Sequence, residues 1–310
     1  MIKQILSIVF STAFAHSVLR VSTSIIYGGM AALMADISGI SNIGLEGMML
    51  SAALAGVVFA SLSGSPLVGV LGAILVAMLL ALLLSYFVQN LDTHFVLTGL
   101  SINMLAKGAT VLALFAITGN KGATTGMITY PVPQLQIPIL KDIPVLGEIF
   151  SGQNLLTYLA FVMVFLLSVF LKRTKLGLYI RSAGEAPSAL QSVGISVKKI
   201  RYIALLASGF FAGLAGAFLS MGAMDGFVAG MTSGRGFIAL AVASMGQLKP
   251  WGVVLAALVF GISEAMANYF QILRIPTQFV QMIPYAVTLL AITIYTIQQE
   301  QRKKKRAEAA

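Results

Sequence analysis

Apolar stretches of about twenty residues alternate with short polar joints along most of this chain. Runs of 18 or more apolar residues are membrane-helix candidates, because the hydrocarbon core is about 30 Å thick and a helix rises about 1.5 Å per residue. The candidate spans are 18–35, 41–61, 66–88, 94–118, 153–171, 202–223, 235–247, 251–271 and 276–298. The segment 235–247 is too short to cross and reads as half of a broken helix or a re-entrant piece. The fold class is therefore an all-α polytopic membrane helix bundle of about 9–10 spans, with broken or half helices, forming one transmembrane domain over 1–310.

The first residues break the pattern. Ile2, Ile5, Leu6, Val9, Phe10 and Ala13 follow helical spacing, with Lys3, Ser7 and Ser11 opposite. This favours an amphipathic interfacial helix over 1–17 rather than a cleaved leader ending at Ala13-Phe14-Ala15. An extra span over 1–17 is the alternative that the loop charges allow.

Composition excludes several classes. The chain is 58% hydrophobic and only 10% charged, with a mean hydropathy of +0.93. Soluble domains carry about 25% charged residues. A β-barrel would instead show alternating ten-residue segments. The absence of cysteine excludes disulfides and thiolate metal sites. His16 and His94 are in no metal-ligand pattern, and no Ser/His/Asp grouping or G-x-S-x-G appears, so no catalytic residue and no metal ligand is assigned.

The net charge of +10 is concentrated. Lys172, Arg173, Lys175, Arg181, Lys198, Lys199 and Arg201 lie in the joint 172–201, and Arg302, Lys303, Lys304, Lys305 and Arg306 in the tail 299–310. Basic joints stay on the cytoplasmic side, so both are expected there, the tail beside anionic lipid; the charge calls for no nucleic acid. The joint 119–152 balances Lys121 and Lys141 with Asp142 and Glu148 and carries Pro131, Pro133, Pro138 and Pro144; it reads as extracytoplasmic. Counting crossings backwards puts the N-terminus outside, where Lys3 and Arg20 fit poorly. Either 1–17 crosses, or one segment within 18–61 does not cross fully.

Two stretches resemble each other: "GLEGMMLSAALAGVVFASLSGSPLVGVLGA" (44–73) and "GRGFIALAVASMGQLKPWGVVLAA" (234–257). Each opens on a charge between glycines. Their turns face opposite sides by charge, as an inverted repeat requires. Recurrence of small residues in membrane helices accounts for the likeness equally well.

The basic joint is longer than a connection needs. Ala186, Ala189, Leu190 and Val193 share one helical face, Pro187 suits a first turn and Gly194 a stop. Two turns are unstable alone, so this helix must pack, either on the protein's own inner face or in a groove of another protein. Ser182-x-x-Glu185 also matches a capping box that would start the helix earlier.

Polar residues inside spans are candidates for a translocation route. Asp36, Glu46, Lys107, Asp225, Arg235 and Glu264 lie in or beside spans, where charges usually face protein or water. Glu46 follows Asn42 and lies between Gly44 and Gly47, where glycine permits a break, and Arg235 is between Gly234 and Gly236. Asn103 can hydrogen-bond a solute or another helix. A Glu–Arg pair that fixes helix packing is the competing role for the charges. Gly209, Gly213 and Ala217, beside the row Ser208, Ala212, Gly216 and Ser220, explain themselves as close-packing faces. Gly222, Gly226, Gly230 and Gly234 point to an irregular outer segment.

The run "LGLYIRSAGEAPSALQSVGISVKKIRYIALLASGFFAGLAGA" resembles the central region of permease subunits of bacterial ABC importers, in the branch with ribose, branched-chain amino acid and nucleoside systems. "ISNIGLEGMMLSAALAG" and "GRGFIALAVASMGQLKPWGVVLAALVFG" are similar to its nucleoside and simple-sugar permeases. The resemblance implies a multi-pass protein of the bacterial inner (plasma) membrane with a cytoplasmic C-terminus. It implies a coupling helix from Gly184 through Glu185, Ala186, Pro187, Ala189, Leu190 and Val193 to Gly194, seated on a separate ATP-binding subunit. ATP and magnesium belong to that partner, since this chain has no G-x-x-x-x-G-K-[ST] loop; "TGNKGATTG" (118–126) has the wrong spacing. A second homologous permease and an extracytoplasmic binding lipoprotein complete the expected assembly. The implied cargo is a nucleoside, then a simple sugar. An ion-coupled secondary transporter is the rival class.

Overall fold

The computed structural model describes residues 11–136 and 146–272, together with Thr293. Among the described residues, seven helices are long and apolar enough to cross a membrane: α1 (Thr12–Ile37), α2 (Leu45–Ser63), α3 (Pro66–Asn90), α4 (Phe95–Thr118), α6 (Leu155–Arg173), α9 (Val197–Phe218, extended by a π turn over Leu219–Ala223) and α11 (Pro250–Ile272). Shorter elements are α5 (Leu146–Phe150), α7 (Lys175–Glu185), α8 (Pro187–Ser192) and α10 (Arg235–Met245). A two-residue antiparallel ladder joins β1 (Gln134–Leu135) to β2 (Gln153–Asn154). In a bilayer every backbone group must find its partner inside the protein, which is why the apolar runs become helices.

The bundle is layered. α1, α2 and α9 form the interior, and α3, α4 and α6 are mostly exposed. α9 has small residues on two faces. A Cβ at Gly209 would touch Ala81, and one at Gly213 would touch Ile74, both on α3. Gly216 on the other face meets the Met49 carbonyl and Ala52 of α2. The small-residue rows thus let α9 fit between two neighbours.

α1 is longer than the expected span 18–35. Ser11 caps it by accepting from the Phe14 N–H, so residues 12–17 are its first turns rather than a separate amphipathic segment. Nothing interrupts the helix at position 17. Its start lies at the end of the bundle that carries α5 and β2: Gln153 Nε2 donates to the His16 carbonyl at 3.0 Å. Arg20 donates to the Ala223 carbonyl in the π turn, so this charge has a protein partner. The opposite end of α1 reaches the basic face, where Arg201 Nε donates to the Ser38 carbonyl at 3.1 Å. Residues 1–10, the prolines 138 and 144, the span 276–298 apart from Thr293, and the basic tail lie outside the described residues.

The chain turns at Ser38 and the exposed Gly39, and residues 40–44 then run inward. They lead the chain back into the bundle, so α2 begins at its interior. α10 starts at the same level and runs its 11 residues, about 16 Å, to the basic end. It is the half helix expected from its length. The glycine-rich stretch before it is irregular, with positive φ at Gly226, Gly230 and Gly234. That stretch is tied to the far loop: Thr124 N–H donates to the Phe227 carbonyl at 3.0 Å, and Ala123 bridges to Val228.

Candidate functional site

The starts of α2 and α10 meet, and their unpaired amides make a polar hub. A helix N-terminus leaves backbone donors without intrahelical partners. At α10 the cap residue is Gly234, which has a left-handed φ of 84° and no side chain to cap with. Glu46, from the first turn of α2, supplies the acceptor. Its Oε1 takes the Gly234 N–H at 2.8 Å and the Thr232 hydroxyl at 2.6 Å; its Oε2 takes the Gly236 N–H at 2.8 Å. Glu46 is 4% exposed. The carboxylate faces the positive end of the α10 dipole, and the bonds are charge-assisted. Only glycine fits at 236, because a Cβ there would fall on the Glu46 backbone.

The start of α2 is capped from α4. Asn103 Oδ1 accepts the Gly47 N–H at 2.7 Å, and its Nδ2 donates to the Ile43 carbonyl at 2.8 Å. Asn42 Nδ2 donates to Ser208 of α9 at 3.0 Å. Asn42 Oδ1 is buried without a hydrogen-bond partner among the described residues. Arg235 pairs with Glu264 of α11 and also donates to the Met231 carbonyl at 3.0 Å. A Glu–Arg pair is therefore present, but it joins Arg235 to Glu264 and not to Glu46.

The four route candidates from sequence thus converge on one level of the bundle. Asn42, Glu46 and Asn103 are buried and engaged in joining α2, α4, α9 and α10. Arg235 and Glu264 are partly open, with side chains 20% and 18% exposed. The repeat-like stretches meet here through Glu46 and Gly236.

The second candidate region is the basic end. α7 was not anticipated as an element within 172–201. Thr174 caps it by accepting the Gly177 N–H at 3.0 Å, and Gly177, Ile180 and Ala183 face inward. That spacing was a readable signal. Ser182 lies inside α7 and its carbonyl accepts from Ala186, so the Ser182–Glu185 box does not start a helix. Gly184 presses on the end of α1; a Cβ would fall on the Ile37 carbonyl oxygen. Arg201 Nη2 also reaches the Ala183 carbonyl at 3.4 Å, clamping α1, α7 and α9 together. Gly184→Ala should therefore force α7 off its seat. We expect a loss of about 1–3 kcal/mol, visible as a lower melting temperature of the purified permease.

α8 follows at once. The expected apolar stripe divides: Leu190 is 4% exposed and joins the core, whereas Ala186, Ala189 and Val193 are exposed, Val193 at 70%. The reason is anchorage. A six-residue helix cannot hold itself, so one apolar side chain must fasten it to the body. Leu190 does so beside α9. Gly194, with φ 78°, then turns the chain into α9. The exposed set, from Glu185 through Pro187 and Ala189 to Val193, projects from the basic face.

A cavity of about 710 Å³ lies between α7 and the α10–α11 turn, lined by Asp36, Lys172, Arg181, Lys249 and Trp251 among others. The exposed helix pair thus touches α1 and α9 directly, and faces α10 across open space.

The family model for the branched-chain amino acid transport system / permease component matches residues 14–292. The chain is 36% identical to the guanosine ABC transporter permease protein NupQ of Bacillus subtilis, over 94% of this chain and 93% of the relative. It is 33% identical to the putative glucose ABC transporter permease protein TsgC13 of Haloferax volcanii, over 83% of this chain and 77% of the relative. It is 32% identical to the nucleoside ABC transporter permease protein NupC of Lactococcus lactis, over 88% and 89% respectively.

Proposed function

This chain belongs to the branched-chain amino acid transport system / permease component family, and from that premise we propose that it carries nucleosides across the membrane. It is a multi-pass permease of an ABC importer, working with ATPase subunits. The observation that carries the nucleoside reading is the 36% identity to a guanosine permease across nearly the whole of both chains. A simple sugar is the second reading, since the glucose relative is 33% identical over 83% of this chain.

In the proposed mechanism the basic face is cytosolic. The exposed residues of α8 and Val193 rest in a groove of an ATPase subunit, which holds ATP and magnesium. Closure of the ATPases pushes α8. Gly184 and Arg201 pass that push to α1 and α9, because α7 is seated on both. α1 and α9 bound the hub, where α2 and α10 are joined through Glu46. The permease thereby alternates between outward- and inward-open arrangements with a second, homologous permease. An extracytoplasmic binding lipoprotein delivers the solute. ATP and the loaded binding protein must each favour one arrangement, since a ligand shifts such an equilibrium only through differential affinity.

The test is uptake by membranes holding this permease with its partner permease, ATPase and binding protein. We expect ATP-dependent guanosine uptake that excess inosine suppresses and excess glucose leaves unchanged. Glucose-sensitive uptake would move the cargo to sugars. Uptake by this chain alone under an imposed ion gradient would favour the secondary-transporter class.

A further inference from the structure

The cavity at the basic end plays no part in the coupling proposed for α7 and α8. It encloses about 710 Å³ between the ends of α1, α6 and α7 and the turn from α10 to α11. Three cations line it, Lys172, Arg181 and Lys249, against two carboxylates, Asp36 and Glu185, which leaves one positive charge. Among the described residues none of these groups forms an ion pair. Arg181 Nε and Asp36 Oδ1 are buried, and neither has a hydrogen-bond partner among the described residues. Buried polar atoms are normally paired, because an unpaired one forfeits its hydration for nothing. The cavity thus offers one unused donor and one unused acceptor in a net positive surround.

Its walls continue into the apolar part of the bundle. Ser168, Leu171 and Lys172 turn one side of α6 toward the cavity, and Phe165, one turn deeper on that side, is 57% exposed. Trp251 forms the opposite wall, and Leu255, one turn deeper on α11, is 68% exposed. Tryptophan at a helix end, level with the cations, is the usual marker of a membrane interface. Charge at the end of the bundle and apolar side chains one turn deeper is also the order of groups in a phospholipid.

We propose that this cavity holds the head group of an anionic phospholipid that carries a hydroxyl, of the phosphatidylglycerol kind. The phosphodiester oxygens accept from Arg181 Nε and offset the net positive charge, and a head-group hydroxyl donates to Asp36 Oδ1. The acyl chains lie against Phe165 and Leu255. Basic pockets between helices at the cytoplasmic interface suit such head groups, and this one rests on the reading of the basic end as cytosolic. It does not depend on the cargo. A lipid seated there fills the space between α7 and the α10–α11 turn.

Trp251 is the single tryptophan of the chain and lies on the cavity wall, so its emission reports occupancy. The full chain is reconstituted in phosphatidylcholine vesicles with a rising fraction of phosphatidylglycerol brominated on its acyl chains. Half-maximal quenching should come at a mole fraction about ten-fold lower than with brominated phosphatidylcholine. Arg181→Gln should raise that fraction about ten-fold, through loss of one charge-assisted hydrogen bond. Lys249→Gln, in an exposed turn, should raise it several-fold without disturbing a packed helix. Lys198→Gln removes a charge from the same basic end outside the cavity and should change nothing. No shift in Arg181→Gln and Lys249→Gln, or an equal shift in Lys198→Gln, would overturn the site. Equal quenching by brominated phosphatidylethanolamine would overturn the anionic head group. Relief of quenching by inorganic phosphate would overturn the lipid and assign the cavity to a free anion.

Discussion

Glu46→Gln should lower the stability of this permease's fold, not merely its transport rate. The glutamine keeps the shape of the side chain but replaces one acceptor oxygen with an NH2 group. In the native site both oxygens face donors: the Gly234 and Gly236 amides and the Thr232 hydroxyl. One orientation leaves Gly236 facing a donor; the other leaves Gly234 and Thr232 so placed. Either way buried donors lose their partners, at about 1–3 kcal/mol each, and the charge opposite the α10 dipole disappears. A total of about 3 kcal/mol or more is a large fraction of the 5–15 kcal/mol typical of a folded domain. The measurement is the yield and melting temperature of detergent-purified permease. Glu46→Asp, one methylene shorter, should fall between wild type and Glu46→Gln. An unshifted melting temperature in Glu46→Gln would mean that the carboxylate does not hold the two helix starts together.

Val193→Asp should separate the permease from its ATPase while leaving the membrane bundle intact. Val193 is 70% exposed and lies just past the end of α8, so a carboxylate there meets water in the isolated permease. Exposed substitutions of this kind change stability by about 0.5 kcal/mol or less. Inside an apolar groove the same charge would be buried unpaired, and copurification of the ATPase should fall at least ten-fold. Leu190→Asp is the contrast. It puts the charge in the permease's own core, where Leu190 is 4% exposed, so it should lower the melting temperature directly. Normal ATPase recovery and transport with Val193→Asp would exclude this surface as the coupling contact.

The pair shows where reading along the chain stops. Ala186, Ala189, Leu190 and Val193 share a helical stripe by spacing, and spacing carries no information about which neighbour each residue meets. The stripe divides because α8 is two turns long and Leu190 alone is enclosed beside α9. The partner of Glu46 was equally hidden. A glutamate and an arginine in similar settings suggested each other, yet Glu46 bonds to backbone amides and Arg235 to Glu264, 29 residues further on. α7 was different: Gly177, Ile180 and Ala183 carried a readable period that the many basic residues of the joint obscured.

What the sequence determined alone, among the described residues, was the run of membrane helices between 18 and 271, their approximate ends, the shortness of α10 and the family to which the motifs point. These are local properties. A long apolar run in lipid must satisfy its own backbone, and a helix does so whatever its neighbours. Only the tertiary structure decided that α1 begins at Thr12, that residues 40–44 re-enter the bundle, and that two helix starts share one carboxylate. Those outcomes depend on unpaired donors and acceptors far apart in the chain, which are matched only when the helices pack.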